Sequence, residues 1–251
     1  MKNRRRFPEI DMWRGTALIG MVVFHFFFIL DYFDIINNQM YYGGWLILAR
    51  FVQYSFLLLV GISLALSFKK NQKANSRKNF YKKQIKRALL IFLLGMMISL
   101  VTFIFIPQEY VKFGMLHLIG LSILSLSFIA GRKYLAFVIG IIIITAGFFI
   151  KTITTSSIIL FNLGFEGINI SSIDYFPVFP WLGVVALGIG IGHILYKEFR
   201  GKIQIKGTNK SHPLKLISFI GRHTLLVYMV HIPIILIALV SFKIIPLESL
   251  L

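Results

Sequence analysis

Long apolar runs separated by short polar segments dominate the chain. A helix needs about 20 mainly apolar residues to cross a bilayer, and seven runs approach or exceed that length. They cover residues 14–30, 45–68, 88–106, 113–130, 134–150, 178–196 and 216–242. The polar connection 151–176 also contains a short apolar patch, 158–163, interpreted as a re-entrant or interfacial helix. The pattern predicts an all-α integral membrane protein, a bundle of about seven to eight transmembrane helices forming a single domain over residues 1–251.

Lysine and arginine concentrate in alternate polar segments. The N-terminal tail and the segments 69–87, 131–133 and 197–215 hold 4, 9, 2 and 6 of the 27 basic residues. Cytoplasmic loops of membrane proteins are enriched in lysine and arginine. The N-terminus is therefore predicted to be cytoplasmic, and an odd number of spans puts the C-terminus on the other side.

The composition agrees with a membrane protein. Hydrophobic residues make up 57% of the chain and charged residues 14%, whereas a soluble domain has about half and about a quarter. A net charge of +18 by itself fits nucleic acid, but these charges lie between spans, where anionic lipid attracts them. The lipid bilayer is the expected partner, and nucleic acid is not. Because the sequence has no cysteine, disulfides, cysteine-ligated metals and thiol catalysis are excluded.

Ionisable residues interrupt the first apolar run at Asp11, Arg14 and His25. Eleven residues along a helix return to within about 20° of the same face, so Arg14 and His25 share a face, and Asp11 lies within about 60° of it. A rise of about 16 Å puts Arg14 near the cytoplasmic boundary and His25 near the middle of the hydrocarbon. Such residues usually mark function. The structural alternative is an arginine reaching the interface and a histidine that bonds helices together.

Two further histidines, His117 and His231, fall towards the outer ends of their runs. Both are candidates to approach the level of His25 in a packed bundle. The three histidines would suffice for a metal, but their spacing matches no zinc motif, and no metal is expected. The glycines of 183–192 lie inside a span, where they favour close helix packing over phosphate binding.

Several stretches, taken in order, resemble a known family. The interval from Arg14 to His25 is similar to the first helix of membrane-bound acyltransferases, in which an arginine or lysine is followed by ten residues and a histidine. The wider set resembles the catalytic domain of heparan-α-glucosaminide N-acetyltransferases, in the prokaryotic branch. Its stretches are IDMWRGTA (10–17), FLLLVGIS (56–63), VKFGMLHLIG (111–120), DYFPVFPWLG (174–183) and FIGRHTLLVY (219–228). The resemblance covers roughly residues 5–233 and implies a multi-pass acyltransferase of a prokaryotic cytoplasmic membrane.

The resemblance implies transfer of an acetyl group from cytosolic acetyl-CoA to an amine or hydroxyl presented from the opposite face. It makes His25 the candidate catalytic residue and Arg14 a candidate for CoA contact. Eukaryotic members use a histidine in the outer loop after the first helix, and here the loop 31–44 contains none. Either His25 takes over that task, or His117 does, or the activity has been lost.

The other candidate site residues divide between the two sides of the predicted topology. Those expected to hold the phosphates of acyl-CoA are Arg14, Asp11 and Arg222. Those expected to bind a sugar-like acceptor are Asp174, Trp181 and His231, with the indole suited to stacking on a sugar. A covalent acetyl-histidine is the alternative to direct transfer. The partners are thus acyl-CoA and an amine or hydroxyl acceptor, and a homodimer is compatible with this interpretation.

Two other functional classes compete with the acyltransferase. A transporter or flippase explains ionisable residues inside the membrane equally well, although the chain lacks the internal repeat that many transporters have. A structural or signalling membrane protein would leave the polar stripe on the first helix without a purpose.

Overall fold

The computed structural model describes residues 7–73, 76–196 and 212–246, and most of them are helical. The helices are α1 (Pro8–Tyr32), α2 (Gly43–Lys73), α3 (Arg77–Phe105), α4 (Met115–Leu126), α5 (Lys133–Ile150), α6 (Ile158–Leu163), α7 (Val178–Leu195), α8 (His212–Arg222) and α9 (Thr224–Ser241). A 3₁₀ turn, Ser127–Ile129, follows α4, and two short strands, β1 (Thr154–Thr155) and β2 (Glu166–Gly167), pair in parallel. The predicted all-α class is confirmed.

Six helices of the described chain, namely α1, α2, α3, α5, α7 and α9, are long and apolar enough to cross a membrane. Large apolar side chains such as Leu93, Leu100 and Phe103 lie exposed on α3, as expected of a surface that faces lipid. The apolar helix Met115–Ile129 is shorter than these six helices. Its length of about 23 Å is less than the roughly 30 Å thickness of the hydrocarbon. The expected count of seven to eight spans and the side of the N-terminus stay predictions.

The last predicted span, 216–242, is divided in the structure. Helix α8 ends at Arg222 and α9 begins at Thr224, because the backbone of His223 leaves the helical conformation. The hydroxyl of Thr224 donates to the carbonyl of Gly221 and closes the break. The prediction of one continuous helix was therefore wrong, and the candidate span is α9 alone. Most of the predicted basic loop 197–215 lies outside the described residues, and its last residues belong to α8.

The connection 151–176 contains the helix expected at its apolar patch. Helix α6 begins at Ile158 and ends at Leu163, and the strands β1 and β2 flank it. The following stretch is joined to the turn before α4, because Ile173 N–H donates to the Glu109 carbonyl at 2.8 Å and Phe176 N–H to the Phe113 carbonyl at 2.9 Å. These backbone bonds fix the stretch that carries Asp174.

The chain forms two compact units, which are described separately. The first unit comprises Met1–Phe56 and Lys202–Leu251, and the second comprises Leu57–Gly201. The first therefore contains α1, the beginning of α2, α8 and α9. The second contains the rest of α2 and the helices α3 to α7. The single domain expected from the sequence stays a prediction.

Glycines allow close contact between helices in both units. In the second unit, a Cβ on Gly188 of α7 would overlap the backbone of Leu58 on α2, and one on Gly183 would meet the carbonyl oxygen of Gly140 on α5 at 2.7 Å. In the first unit, a Cβ on Gly15 of α1 would overlap the Ile217 carbonyl of α8. The glycine-rich stretch of α7 therefore packs helices, as the sequence predicts.

Candidate active site

Two histidines from opposite ends of the chain meet in the first unit. The ring centroids of His25 on α1 and His231 on α9 are 4.9 Å apart, with 72° between the ring planes. The ring of Phe24 lies 5.7 Å from that of His25, and the ring of Tyr228 lies 5.6 Å from that of His231. His231 is only 6% exposed, whereas His25 is half-buried. The two imidazoles therefore form a pair with aromatic neighbours, and His25 is its more accessible member.

Each ring of this pair is fixed to its own helix through Nδ1. The Nδ1 atom of His25 lies 2.8 Å from the carbonyl oxygen of Met21, and that of His231 lies 2.6 Å from the carbonyl oxygen of Tyr228. A carbonyl oxygen only accepts, so each Nδ1 carries the hydrogen and each neutral ring keeps its lone pair on Nε2. The Nε2 atom of His231 is buried and has no hydrogen-bond partner among the described residues. Both rings are therefore in the tautomer of a base.

The residues predicted to hold phosphates collect at one end of the first unit. Arg14 Nη1 donates to Asp11 Oδ1 at 3.3 Å, one turn away on α1. Helix α8 crosses α1 there, since a Cβ on Gly221 would overlap the Asp11 carbonyl oxygen. Arg222 follows directly; it is exposed, and its Nε donates to the Ser218 carbonyl at 3.2 Å. This basic end lies about 16 Å along α1 from His25.

His117 lies in the second unit, where the protein uses both of its ring nitrogens. The side chain is 2% exposed, and Nδ1 accepts the N–H of Gly114 at 3.2 Å. The hydrogen of the neutral ring is therefore on Nε2, which lies 3.4 Å from Ser99 Oγ. The Ser99 hydroxyl in turn donates to the Val111 carbonyl. Because no lone pair of His117 is left for a substrate proton, the geometry favours a structural role.

Asp174 lies against the N-terminus of α4, beside His117. Its Oδ2 accepts the backbone N–H of Met115 at 3.2 Å, at a helix end where negative charge is favoured. The approach requires glycine at position 114, because a Cβ there would overlap Oδ2. Burial raises the pKa of Asp174 to about 6, and the hydrogen bond from Met115 partly offsets this. The carboxyl group is therefore fixed in place and titrates near neutral pH.

Trp181, the aromatic residue predicted to stack on an acceptor, lies in the core of the second unit. Its side chain is buried, and its ring centroid is 5.5 Å from that of Phe176. The sugar-stacking role of Trp181 stays a prediction. Among the residues that the structure describes, no group of three or more His, Asp or Glu side chains is arranged to hold a metal ion.

The comparison with protein families decides the broader identity. The family model described as heparan-alpha-glucosaminide N-acetyltransferase, catalytic, matches residues 6–233, nearly the whole chain. The chain belongs to this family. No curated protein and no solved structure matches the chain. Membership in the N-acetyltransferase catalytic family indicates a membrane transferase of acyl or acetyl groups, and acetyl-CoA is the general donor in that family.

Family membership and the six apolar helices together describe an integral, multi-pass membrane protein. The sequence did not reveal the partners that distinguish its histidines. Ser99 and Gly114 hold His117. In the sequence, Ser99 is visible only as a hydroxyl residue within an apolar run, and Gly114 only as a glycine near the start of another apolar run. The carbonyls that hold His25 and His231 belong to Met21 and Tyr228, whose side-chain types carry no such signal.

Proposed function

We propose that this protein transfers an acetyl group from acetyl-CoA to an amine or hydroxyl of a sugar-like acceptor, with His25 as the general base. The observation that carries the proposal is the hydrogen bond from His25 Nδ1 to the Met21 carbonyl. It leaves the Nε2 lone pair on a half-buried ring in a chain of the N-acetyltransferase catalytic family.

The chemistry requires the acceptor to lose a proton as it attacks the thioester. Nε2 of His25 takes that proton while the acceptor nitrogen or oxygen bonds to the carbonyl carbon. The carbon–sulfur bond then breaks, and the CoA thiolate takes the proton back from His25. The products are the acetylated acceptor, CoA thiol and a neutral His25. An acetyl-His25 intermediate is the covalent alternative, in which Nε2 attacks the thioester first.

The donor end of the proposed reaction is the basic end of the first unit, on the cytoplasmic side. A guanidinium suits phosphate because its fixed fork of donors matches two oxygens. Arg14 is assigned this contact, and the ion pair with Asp11 holds its guanidinium in place. The exposed Arg222 adds a second guanidinium at the same end.

The acceptor is assigned to the opposite membrane face. Asp174 and Trp181 are proposed to contact it, because a fixed carboxylate bonds sugar hydroxyls or an ammonium group and an indole stacks on a sugar ring. Both Trp181 and His231 are buried, which weakens the assignment of either residue to acceptor contact. A prokaryotic cytoplasmic membrane and a homodimer belong to the same proposal.

The first test is equilibrium binding of acetyl-CoA to the detergent-purified protein. Wild type should bind saturably, and Arg14→Ala should bind about tenfold or more weakly, since a charge-assisted bond contributes about 1.5–3 kcal/mol. Arg50→Ala is the matched control, because it removes one positive charge from another helix of the first unit. It should leave the affinity for acetyl-CoA nearly unchanged.

Equal loss in both arginine variants would mean that general charge, and not Arg14, attracts the donor. Absence of saturable binding by a well-folded wild type would contradict the proposal. The result would then favour a transporter or flippase of a small or lipid-linked substrate, with ionisable residues on its transport path.

A further inference from the structure

We infer that His231 is a positioning residue that keeps a neutral ring against His25 and stabilises, through its Nε2 lone pair, the imidazolium formed on His25 during transfer. The inference rests on the proposed function, in which His25 takes the acceptor proton. The sequence predicted that His231 binds the acceptor, whereas this inference assigns it to support of the base, His25.

The first observation is the buried lone pair of His231. Its Nε2 has no hydrogen-bond partner in the described residues, although the side chain is 94% buried by its 6% exposure. An unsatisfied buried acceptor costs about 1–3 kcal/mol and calls for an explanation in a native structure. A positive charge that forms on the neighbouring ring during each reaction cycle provides one.

The second observation is the geometry of the pair. The rings are 4.9 Å apart and nearly perpendicular, so the edge of one ring meets the face of the other. The bond from His231 Nδ1 to the Tyr228 carbonyl excludes a hydrogen on its Nε2 while the ring is neutral. The ring that contacts His25 therefore keeps an unprotonated nitrogen before the reaction begins.

The third observation is the difference in exposure between the two rings. His25 is half-buried, and His231 is buried. The more accessible ring, that of His25, is able to contact substrate, and the buried ring of His231 acts through His25. Catalytic histidines in water-soluble enzymes are commonly supported by a carboxylate, but an ionised carboxylate is expensive inside a membrane. A neutral imidazole supports the charge without that cost.

The proton balance is unchanged by this role. His25 Nε2 takes the proton from the acceptor and returns it to the CoA thiolate. Its Nδ1–H stays bonded to the Met21 carbonyl throughout. His231 gains and loses no proton, because two imidazolium ions at this distance would repel each other. Its contribution is confined to the period in which His25 is charged.

The test compares His231→Phe with His231→Gln in detergent, using acetyl-CoA and a panel of amino sugars. Phe keeps an aromatic ring and removes the lone pair, whereas Gln keeps a neutral acceptor at a similar reach. Phe should lower kcat about 10- to 100-fold, in the range of one bond to a charged group, with KM for acetyl-CoA unchanged. Gln should restore most of kcat. His193→Phe replaces a half-buried histidine of the second unit and controls for the substitution itself.

A folded His231→Phe variant with wild-type kcat would overturn the inference, and so would a Gln variant as slow as Phe. Nitrogen-15 NMR of labelled histidine separates this failure from that of the proposed function. An unprotonated Nε2 signal that disappears in His231→Phe, together with a shifted His25 signal, supports the pair even if wild type transfers nothing. A protonated Nε2 on His231 in the resting protein overturns it.

Discussion

The two histidine sites described above differ in whether a backbone carbonyl or a backbone N–H contacts the Nδ1 atom of the ring. In the first unit, carbonyls accept from Nδ1 of His25 and His231 and leave the Nε2 lone pairs. In the second unit, an N–H donates to Nδ1 of His117, and Ser99 accepts from its Nε2. A single backbone atom, carbonyl or N–H, therefore separates a histidine ready to accept a proton from one that only holds structure. Burial alone does not make that distinction.

The sites also differ in how they are held together. In the first unit, the backbones of α1 and α8 touch at Gly15 and Gly221, and the rings of His25 and His231 join α1 to α9. In the second, hydrogen bonds converge on the N-terminus of α4. We therefore expect substitutions in the first unit to cause large changes in transfer rate or helix packing. Substitutions in the second unit should cause smaller losses in the free energy of unfolding.

The sharpest test of the contrast is removal of the proposed base. His25→Ala should lower the transfer rate by about 10²- to 10⁴-fold, the usual contribution of general acid–base catalysis. Binding of acetyl-CoA should persist, because the basic end of the first unit is intact. Release of CoA thiol and equilibrium binding measure the two quantities. Turnover close to wild type in His25→Ala would remove the histidine from the mechanism.

The next largest effect concerns the contact between α1 and α8. Gly221→Ala puts a methyl group into the backbone of Asp11, and backbone does not yield as a side chain does, so we expect a loss of about 3 kcal/mol or more in the free energy of unfolding. Gly44→Ala is the matched control, because a Cβ there has nothing within 4 Å. Denaturation in detergent reports the outcome. Equal stability of the two variants would show that the helices do not meet at Gly221.

Substitution of His117 should have a smaller effect, and it should change stability more than the transfer rate. His117→Leu leaves the buried N–H of Gly114 without its acceptor, at a cost of about 1–3 kcal/mol, and Ser99 keeps only its bond to the Val111 carbonyl. His117→Asn, which keeps an acceptor near Nδ1, should fall between Leu and wild type. Transfer per folded molecule should change far less than stability does. A stable His117→Asn protein without turnover would return His117 to the catalytic role that the sequence allowed.

The smallest effect is a pH dependence at Asp174. Its pKa of about 6 lies above the roughly 3.9 of a free aspartate, so the folded protein favours the neutral carboxyl group. Relative to Asp174→Asn, wild type should therefore lose stability as pH rises from about 4 through 6. Melting temperatures of both proteins between pH 4 and 7.5 measure the difference. The same change at exposed Asp34 controls for loss of one charge, and parallel curves for wild type and Asp174→Asn would contradict the shift.

Much of the fold follows from hydrophobic patterning, because long apolar runs have few alternatives to membrane helices. The limits of α5 and α7, and the short helix at Ile158, were close to those expected. The break at His223 was missed because apolar residues continue on both sides of it. Hydropathy reports which side chains avoid water, and it carries no information on where the backbone leaves the helical conformation.

The site was predictable in part. Spacing put Arg14 and His25 on one face of α1, and the expected approach of His231 to His25 is present. The contrast between His25 and His117 was not accessible, because it depends on backbone groups that every residue possesses. The environment of Trp181 was also not predictable. Its residue type indicates an aromatic surface for stacking, but only the packing shows that the side chain is buried.

The pairing of His25 with His231 also has a consequence for biosynthesis. The two residues are about 200 positions apart in the chain, and ribosomes add about 5–20 residues per second, so α1 waits about 10–40 s for α9. Throughout that interval the first histidine lacks its neighbour, and α8 has not covered the glycine surface beside Asp11. Helix α1 must therefore be retained by the insertion machinery or by lipid until the C-terminal helices emerge. A nascent chain without α9 therefore has no histidine pair, and premature termination before α9 removes His231 from the proposed site.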